Sequence, residues 1–294
     1  MRRSTATLIG FTAVLMWALL ALMSAASGKM PPFQLAAMTF LVGGLMGALT
    51  WPFRKGAVSA LRQGWQVWLL GVAGLFGYHV VYFSAIRAAP AVEVSLIAYL
   101  WPLFLVVFSA FLPGERLRPH HILGVVLGLL GAVLIITRGR GLSLAEGFTK
   151  GHALAFLCSL IWSGYSVLSR RFGNVPTDVV AGFCLVTAVL SAICHLLFET
   201  TVWPADATQW AAVLGLGLLP VGAAFYSWDY GVKHGDIMVL GAASYASPLL
   251  STLALAVAGY AAFTWSIFAA CLLITAGALM AAKDMLFKRV PAPN

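Results

Sequence analysis

Tyr78, His79 and Tyr82 fall within little more than one turn of an apolar run, so on a helix they share a face. An ionisable residue at membrane depth points to a cavity, an ion path or a partner. The same residues also suit a neutral histidine hydrogen-bonded to a tyrosine in a bundle core, and both arrangements keep it away from lipid. Downstream, Tyr99 and Trp101 precede Pro102. Two residues turn about 200° around a regular helix, so both face one cavity only if the chain bends there. Pro102 supplies a reason, because a mid-helix proline lacks its N–H and clashes with the carbonyl four residues back. We expect Tyr99 to line the site, and Trp101 either to line it or to pack. Rings of this kind offer flat contact to an indole or phenyl group and a cation–π surface to an ammonium.

The stretch has a degenerate copy 146 residues on: Pro102 falls on Pro248, Tyr99 on Tyr245, Tyr82 on Trp228 and Arg87 on Lys233. The two prolines free the carbonyls of Ala98 and Ser244, and a free carbonyl in hydrocarbon must face protein, water or ligand. Ser244 therefore joins the candidates. Pro102 and Pro248 act either as hinges that let each half rock or as structural kinks satisfied by a neighbouring helix. At an offset of 145, Trp17 falls on Trp162, Ser24 on Ser169, Gly28 on Gly173 and Pro31 on Pro176. Trp17 and Trp162, near mid-span, either form the cavity wall or pack.

These residues need long elements to position them. The chain has 294 residues, 61% hydrophobic and 9% charged, whereas a soluble domain is about a quarter charged. That excludes a soluble protein. A helix needs roughly 20 apolar residues to cross a bilayer, and segments 6–27, 33–52, 65–86, 91–112, 120–137, 151–171, 178–198, 208–230, 237–259 and 264–286 qualify. Long runs rather than ten-residue alternation exclude a β-barrel. The expectation is an all-α integral membrane protein with ten transmembrane helices as two five-helix repeats, residues 1–145 and 146–294. An odd number of spans per half makes the second copy enter from the opposite side. Inverted repeats of this kind are common in secondary transporters, with substrate held near the midplane.

Arg2-Arg3 with the following apolar run and Ser24-Ala-Ala-Ser-Gly28 imitates a cleaved leader. Its counterpart later in the chain argues for a first span instead. With the N-terminus inside, Arg2, Arg3, Arg54, Lys55, Arg62, Arg116, Arg118, Arg170, Arg171, Lys233, Lys283, Lys288 and Arg289 are cytoplasmic, thirteen of the 18 basic residues. Lys29, Arg87, Arg138, Arg140 and Lys150 lie outside, and both chain ends are expected in the cytoplasm.

Smaller expectations follow. Glu93 suits a helix start and pairs with Arg87 across the turn; Asp229 and Lys233 pair four residues apart. Asp178 and Asp236 favour helix starts. Trp51, Trp65, Trp203 and Trp210 anchor span ends. Gly43-x-x-x-Gly47 and Gly124-x-x-x-Gly128 permit close helix packing inside the bundle. Cys158, Cys184, Cys194 and Cys271 read as packing residues. No phosphate-binding loop, metal-ligand spacing or Ser-His-Asp set occurs, so we expect no catalytic residues, no metal and no cofactor.

The run Arg87-Ala-Ala-Pro-Ala-Val-Glu-Val-Ser-Leu-Ile-Ala-Tyr-Leu-Trp-Pro-Leu, with Tyr78-His79 before it and Gly114-Glu-Arg-Leu after it, resembles the bacterial YddG-type aromatic amino-acid exporters. The two five-span halves resemble the wider drug/metabolite transporter superfamily, in its EamA-type branch. That resemblance implies an inner-membrane exporter of aromatic and other amino acids, with a central cavity between the halves. Carried onto matching positions, it supports Tyr78, His79, Tyr82, Tyr99 and Trp101 as cavity residues. It implies amino-acid substrates; the lipid bilayer is the other expected partner, with no nucleic acid, and the oligomeric state is left open by the sequence, a monomer being compatible with it. A passive facilitator, an exporter of other small metabolites or drugs, and a membrane-embedded enzyme acting on lipid are the other readings. The enzyme would need a dyad facing the bilayer, and none can be placed.

Overall fold

The computed structural model describes residues 2–54, 56–137, 149–257 and 264–283. Lys55, Arg138, Arg140, Lys288, Arg289 and the far ends of the expected spans 237–259 and 264–286 lie outside the described residues.

Among the described residues every element is helical: α1 (Arg3–Trp17), α2 (Leu20–Ala26), α3 (Pro32–Ala48), α4 (Trp65–Val72), α5 (Tyr78–Ile86), α6 (Ala91–Ala98), α7 (Trp101–Ser109), α8 (Pro119–Ile136), α9 (Lys150–Arg171), α10 (Val179–Phe198), α11 (Ala207–Leu218), α12 (Ala224–His234), α13 (Ile237–Ala243), α14 (Ala246–Val257) and α15 (Trp265–Ala281). Helices close their own backbone hydrogen bonds, which an apolar chain in hydrocarbon must do. Joined end to end, they give seven stretches long and apolar enough to cross a membrane: Arg3–Ala26, Pro32–Phe53, Trp65–Ile86, Lys150–Arg171, Val179–Phe198, Ala207–His234 and Ile237–Ala254. Pro119–Leu134 and Trp265–Ala281 are shorter apolar helices.

Irregularities recur at nearly one spacing, 146 for the π-turns (73 to 219) and 145 for the helix breaks (98 to 243). A π-helical turn covers Ala73–Gly77 between α4 and α5, and another covers Leu219–Ala223 between α11 and α12. Each residue of the first lies 146 before its mate in the second (73 to 219). Pro220 explains the second, since its missing N–H opens the helical ladder. Similarly, α6 stops at Ala98 shortly before Pro102, and α13 stops at Ala243 shortly before Pro248. The expected bends are therefore breaks. One detail differs from the sequence reading: the Ser244 carbonyl is not free, because the Ser247 N–H donates to it at 3.1 Å. A local turn satisfies the group, with no demand on ligand or neighbour.

The closest pairings are α8 with α15, α3 with α10, and α1 with α12. Glycines make them possible. A Cβ on Gly124 would sit 2.7 Å from the Gly277 carbonyl oxygen, and one on Gly43 would sit 3.0 Å from the Gly222 Cα. Both small-residue motifs thus pack against helices of this same chain. A Gly124→Ala variant has no flexible side chain to displace, so α8 and α15 must separate. We expect a loss of about 1–3 kcal/mol, read as a lower melting temperature in detergent; an unchanged melt would show that the pair has slack.

Polar contacts gather the helix ends into two groups. Arg3 at the start of α1, Glu115 after α7, Arg170 near the end of α9 and Asp236 before α13 form one network. Arg54 pairs with Asp178 at 2.5 Å at the same end. At the other end, Glu199 after α10 accepts from the Phe33 and Gln34 N–H groups at 3.1 Å, from Arg87 at 3.3 Å, and pairs with His195 at 3.1 Å. Glu93 is bonded to His152 Nε2 at 2.6 Å. The expected Arg87–Glu93 pair is therefore not formed: each side chain finds a partner in a helix remote in sequence. Asp178 makes no side-chain cap, being engaged by Arg54, whereas Asp236 does cap α13 through the Val239 N–H at 3.2 Å. Asp229 and Lys233 pair at 2.8 Å as expected.

Candidate solute-binding chamber

A cavity of about 550 Å³ lies within the bundle, inside the range of roughly 300–1,000 Å³ typical of small-molecule sites. Tyr78, His79, Tyr82, Tyr99, Trp101, Trp17 and Trp162 all line it. The three tryptophans both border the cavity and pack: Trp101 and Trp162 belong to the buried core, and Trp17 packs against it. Ser244 does not line it: the residue is fully buried and its hydroxyl donates to the Leu240 carbonyl at 2.7 Å. Ser247, one turn on, takes the place beside the cavity.

Local structure explains the placement. The π-turn ends where α5 begins, so Tyr78, His79 and Tyr82 follow it directly. Tyr78 and Tyr82, one turn apart, stack with centroids 5.9 Å apart. The break between α6 and α7 separates Tyr99 from Trp101 and lets both reach the wall. A regular helix could not do this.

Trp17 is the hub. Its ring centroid lies 6.3 Å from Trp101, 5.7 Å from Trp162, 6.3 Å from Phe225 and 5.1 Å from Trp228. The indole N–H donates to the Pro220 carbonyl at 3.0 Å, within the second π-turn. Mostly edge-on geometry is what ring quadrupoles favour. His79 is held differently: Nδ1 lies 2.7 Å from the Leu75 carbonyl. A carbonyl only accepts, so Nδ1 carries the proton and Nε2 of the neutral ring remains an acceptor. Phe40 meets the His79 ring edge-on at 5.0 Å and stacks on Phe225 at 5.6 Å.

Phe40, Phe225, Thr39, Ser95, Ser247 and Pro220 line the chamber and were missed by sequence reasoning. The repeat offers a signal for two of them. Phe225 is 146 beyond His79, and Ser247 is 146 beyond Trp101. Phe40 has no such mark, being one of 18 phenylalanines.

Among the described residues, no Asp, Glu, Lys or Arg lines the chamber. An ion of net charge would lose its hydration with nothing fixed to balance it. A zwitterion or neutral solute with a flat apolar group meets no such penalty. The lining runs from the aromatic layer at mid-helix to Ser24, Met30 and Pro32, at the end where Glu199 lies. None of it belongs to the Arg3–Glu115 network. The chamber therefore reaches toward the Glu199 end of the bundle and is not lined by the network at the other. Among the described residues no three His, Cys, Asp or Glu side chains group as metal ligands would.

The profile of the EamA-like transporter family matches the chain twice, over residues 4–137 and 149–282. The aromatic amino acid exporter YddG of Ancylobacter novellus is 55% identical over 282 residues, covering 96% of this chain and 98% of that protein. The protein of the same name from Escherichia coli K12 is 25% identical and covers 95% and 97%. The pseudopaline exporter CntI of Pseudomonas aeruginosa is 26% identical over 88% and 87%. One crystal structure, 53% identical, superposes with a TM-score of 0.91 over 98% of this chain and 100% of its own.

Proposed function

Because this chain belongs to the EamA-like transporter family, we propose that it exports aromatic amino acids across the bacterial inner membrane by alternating access, as a secondary transporter and not an enzyme. The observation that carries the reading is the chamber: without fixed charge among the described residues, and walled by Trp101, Trp162 and Phe225 around Trp17. A phenyl or indole side chain packs on those faces. The ammonium of a zwitterion meets ring faces, and its carboxylate meets the hydroxyls of Tyr82, Tyr99, Ser95 and Ser247.

The transporter works, on this reading, as two inverted five-helix halves, residues 1–145 and 146–294, with ten spans. Three observations support it. The π-turns repeat at a spacing of 146 (73 to 219) and the helix breaks at 145 (98 to 243). α1 begins at the Arg3 network whereas α9 ends there, so the corresponding first helices run in opposite senses. The short helices α8 and α15 and the broken pair α6–α7 supply the remaining crossings. The end that gathers Arg3, Arg54, Arg170 and Lys233 is the cytoplasmic one by the positive-inside rule, so the chamber faces outward. Both chain ends are then cytoplasmic. Pro102 and Pro248 sit beside the breaks and act as hinges. One chain encloses the chamber, which suits a monomer.

Counterflow in proteoliposomes, with a panel of amino acids, tests this. Tyr82→Ala and His79→Ala should fold yet slow aromatic amino-acid counterflow by about tenfold or more, since wall aromatics carry binding energy. Unchanged flux in both would remove the chamber from the path. Among the described residues His79 is the only lining group that normally titrates near neutral pH, which makes it the candidate proton carrier of an antiporter; a passive facilitator is the rival reading. Accumulation against a gradient, with and without a proton gradient, separates the two.

A further inference from the structure

We propose that Glu115 and Arg170 form the gate bond of the transport cycle, holding the chamber shut at the end away from its mouth and breaking when that end opens. The proposal rests on the alternating-access reading above. Arg170 Nη2 lies 2.5 Å from Glu115 Oε1. Its Nη1 donates to the Val232 and Gly235 carbonyls, both at 2.8 Å. Those carbonyls close α12, where unpaired C=O groups and the helix dipole favour a cation. Arg3 reaches the same carboxylate at 2.8 and 2.9 Å and also lies 3.2 Å from Asp236. Glu115 follows Gly114, whose φ of +81° is open to glycine and strained for other residues. The turn brings the carboxylate inward, where only 7% of it is exposed.

The partners come from the start of α1, the segment after α7, the end of α9 and the α12–α13 turn. These are the helices that supply the wall with Trp17 at the end of α1, Trp101 at the start of α7, Trp162 within α9 and Phe225 near the start of α12. Side-chain packing joins them at mid-depth, and the Glu115–Arg170 network joins them at the Arg3 end. A solute entering from that end must pass between these four helices, so the network must come apart. The mouth is bordered by other contacts, Glu199 with Arg87 and Glu93 with His152, which do not tie α1 to α7. Loss of the Glu115 charge leaves the largely buried Arg170 guanidinium, 18% exposed, without its anion. The closed arrangement is thereby weakened relative to one in which that end is wet.

Sided labelling tests it in the full chain with Cys158, Cys184, Cys194 and Cys271 replaced by alanine. An Ala21→Cys reporter lines the chamber, and an exposed Ser4→Cys reporter identifies which vesicle preparation presents the Arg3 end. A membrane-impermeant maleimide should label Ala21→Cys from the mouth side in the parent. Glu115→Gln should raise labelling from the Arg3 side at least about fivefold, the lower range for coupled two-state equilibria. Arg3→Gln, at a half-exposed position, should shift it the same way and decides the matter if Glu115→Gln does not fold. A lower melting temperature with unchanged sidedness in every folded variant would make the network a brace and overturn the proposal. Added phenylalanine reports separately on the underlying function: protection of Ala21→Cys with no change of sidedness overturns the gate alone, whereas no protection in the parent overturns the binding site.

Discussion

Trp17→Ala should nearly abolish counterflow of aromatic amino acids. Trp17 touches Trp101, Trp162, Phe225 and Trp228 at once and is pinned by its N–H to the Pro220 carbonyl. Truncating a central aromatic anchor costs about 2–4 kcal/mol of binding, roughly 30-fold or more in affinity. The same change opens the layer that separates the chamber from the Arg3 end, so leak and loss of binding act together. Stability should also fall, by about 3–5 kcal/mol. Trp17→Phe keeps a ring in place but leaves Pro220 without the indole donor, which costs about 1 kcal/mol, so its flux should lie between the two. Counterflow and thermal melts on the purified variants decide it; near-normal flux in a folded Trp17→Ala protein would show that the solute passes elsewhere.

A second large effect concerns a pair outside the chamber. Asp229 and Lys233 lie 2.8 Å apart with side chains only 2% and 3% exposed. Thr177 donates to the carboxylate at 2.7 Å, and the ammonium donates to the Val175 carbonyl at 3.0 Å. Removing one partner strands the other charge, so Asp229→Ala should lose about 3–5 kcal/mol. Removing both charges does not. The Asp229→Leu, Lys233→Met double variant should melt well above Asp229→Ala, because an apolar replacement of a buried pair is often neutral. If the double variant melts no higher than the single one, the stranded charge is not the main cost, and the bonds to Thr177 and Val175 carry the stability instead.

Much of the chamber's lining is legible in the sequence. Tyr78, His79 and Tyr82 are marked by type and by helical spacing, and Pro102 announces the break that lets Tyr99 and Trp101 both reach the wall. Ser244 misled because the rule of a carbonyl freed by proline assumes that the helix continues. Here it breaks, and Ser247 closes the turn on that carbonyl. Arg87 and Glu93 misled for a related reason. Proximity along the chain suggested a local pair, yet His152 and Glu199 lie nearer in space. Nothing in composition separates Phe40, stacked on Phe225, from phenylalanines elsewhere in the chain.

The sequence by itself determined that this chain lives in a bilayer, that it is helical, that its second half restates its first, and where its helices weaken. Each of these follows from local chemistry: an apolar run must satisfy its own backbone, and a proline cannot donate. Only the tertiary structure decided which rings converge on Trp17, which carboxylate each arginine meets, and toward which end of the bundle the chamber reaches. Those depend on distances between segments 55 to more than a hundred residues apart, such as Arg170 and Glu115 or Arg3 and Glu115, which no local pattern encodes.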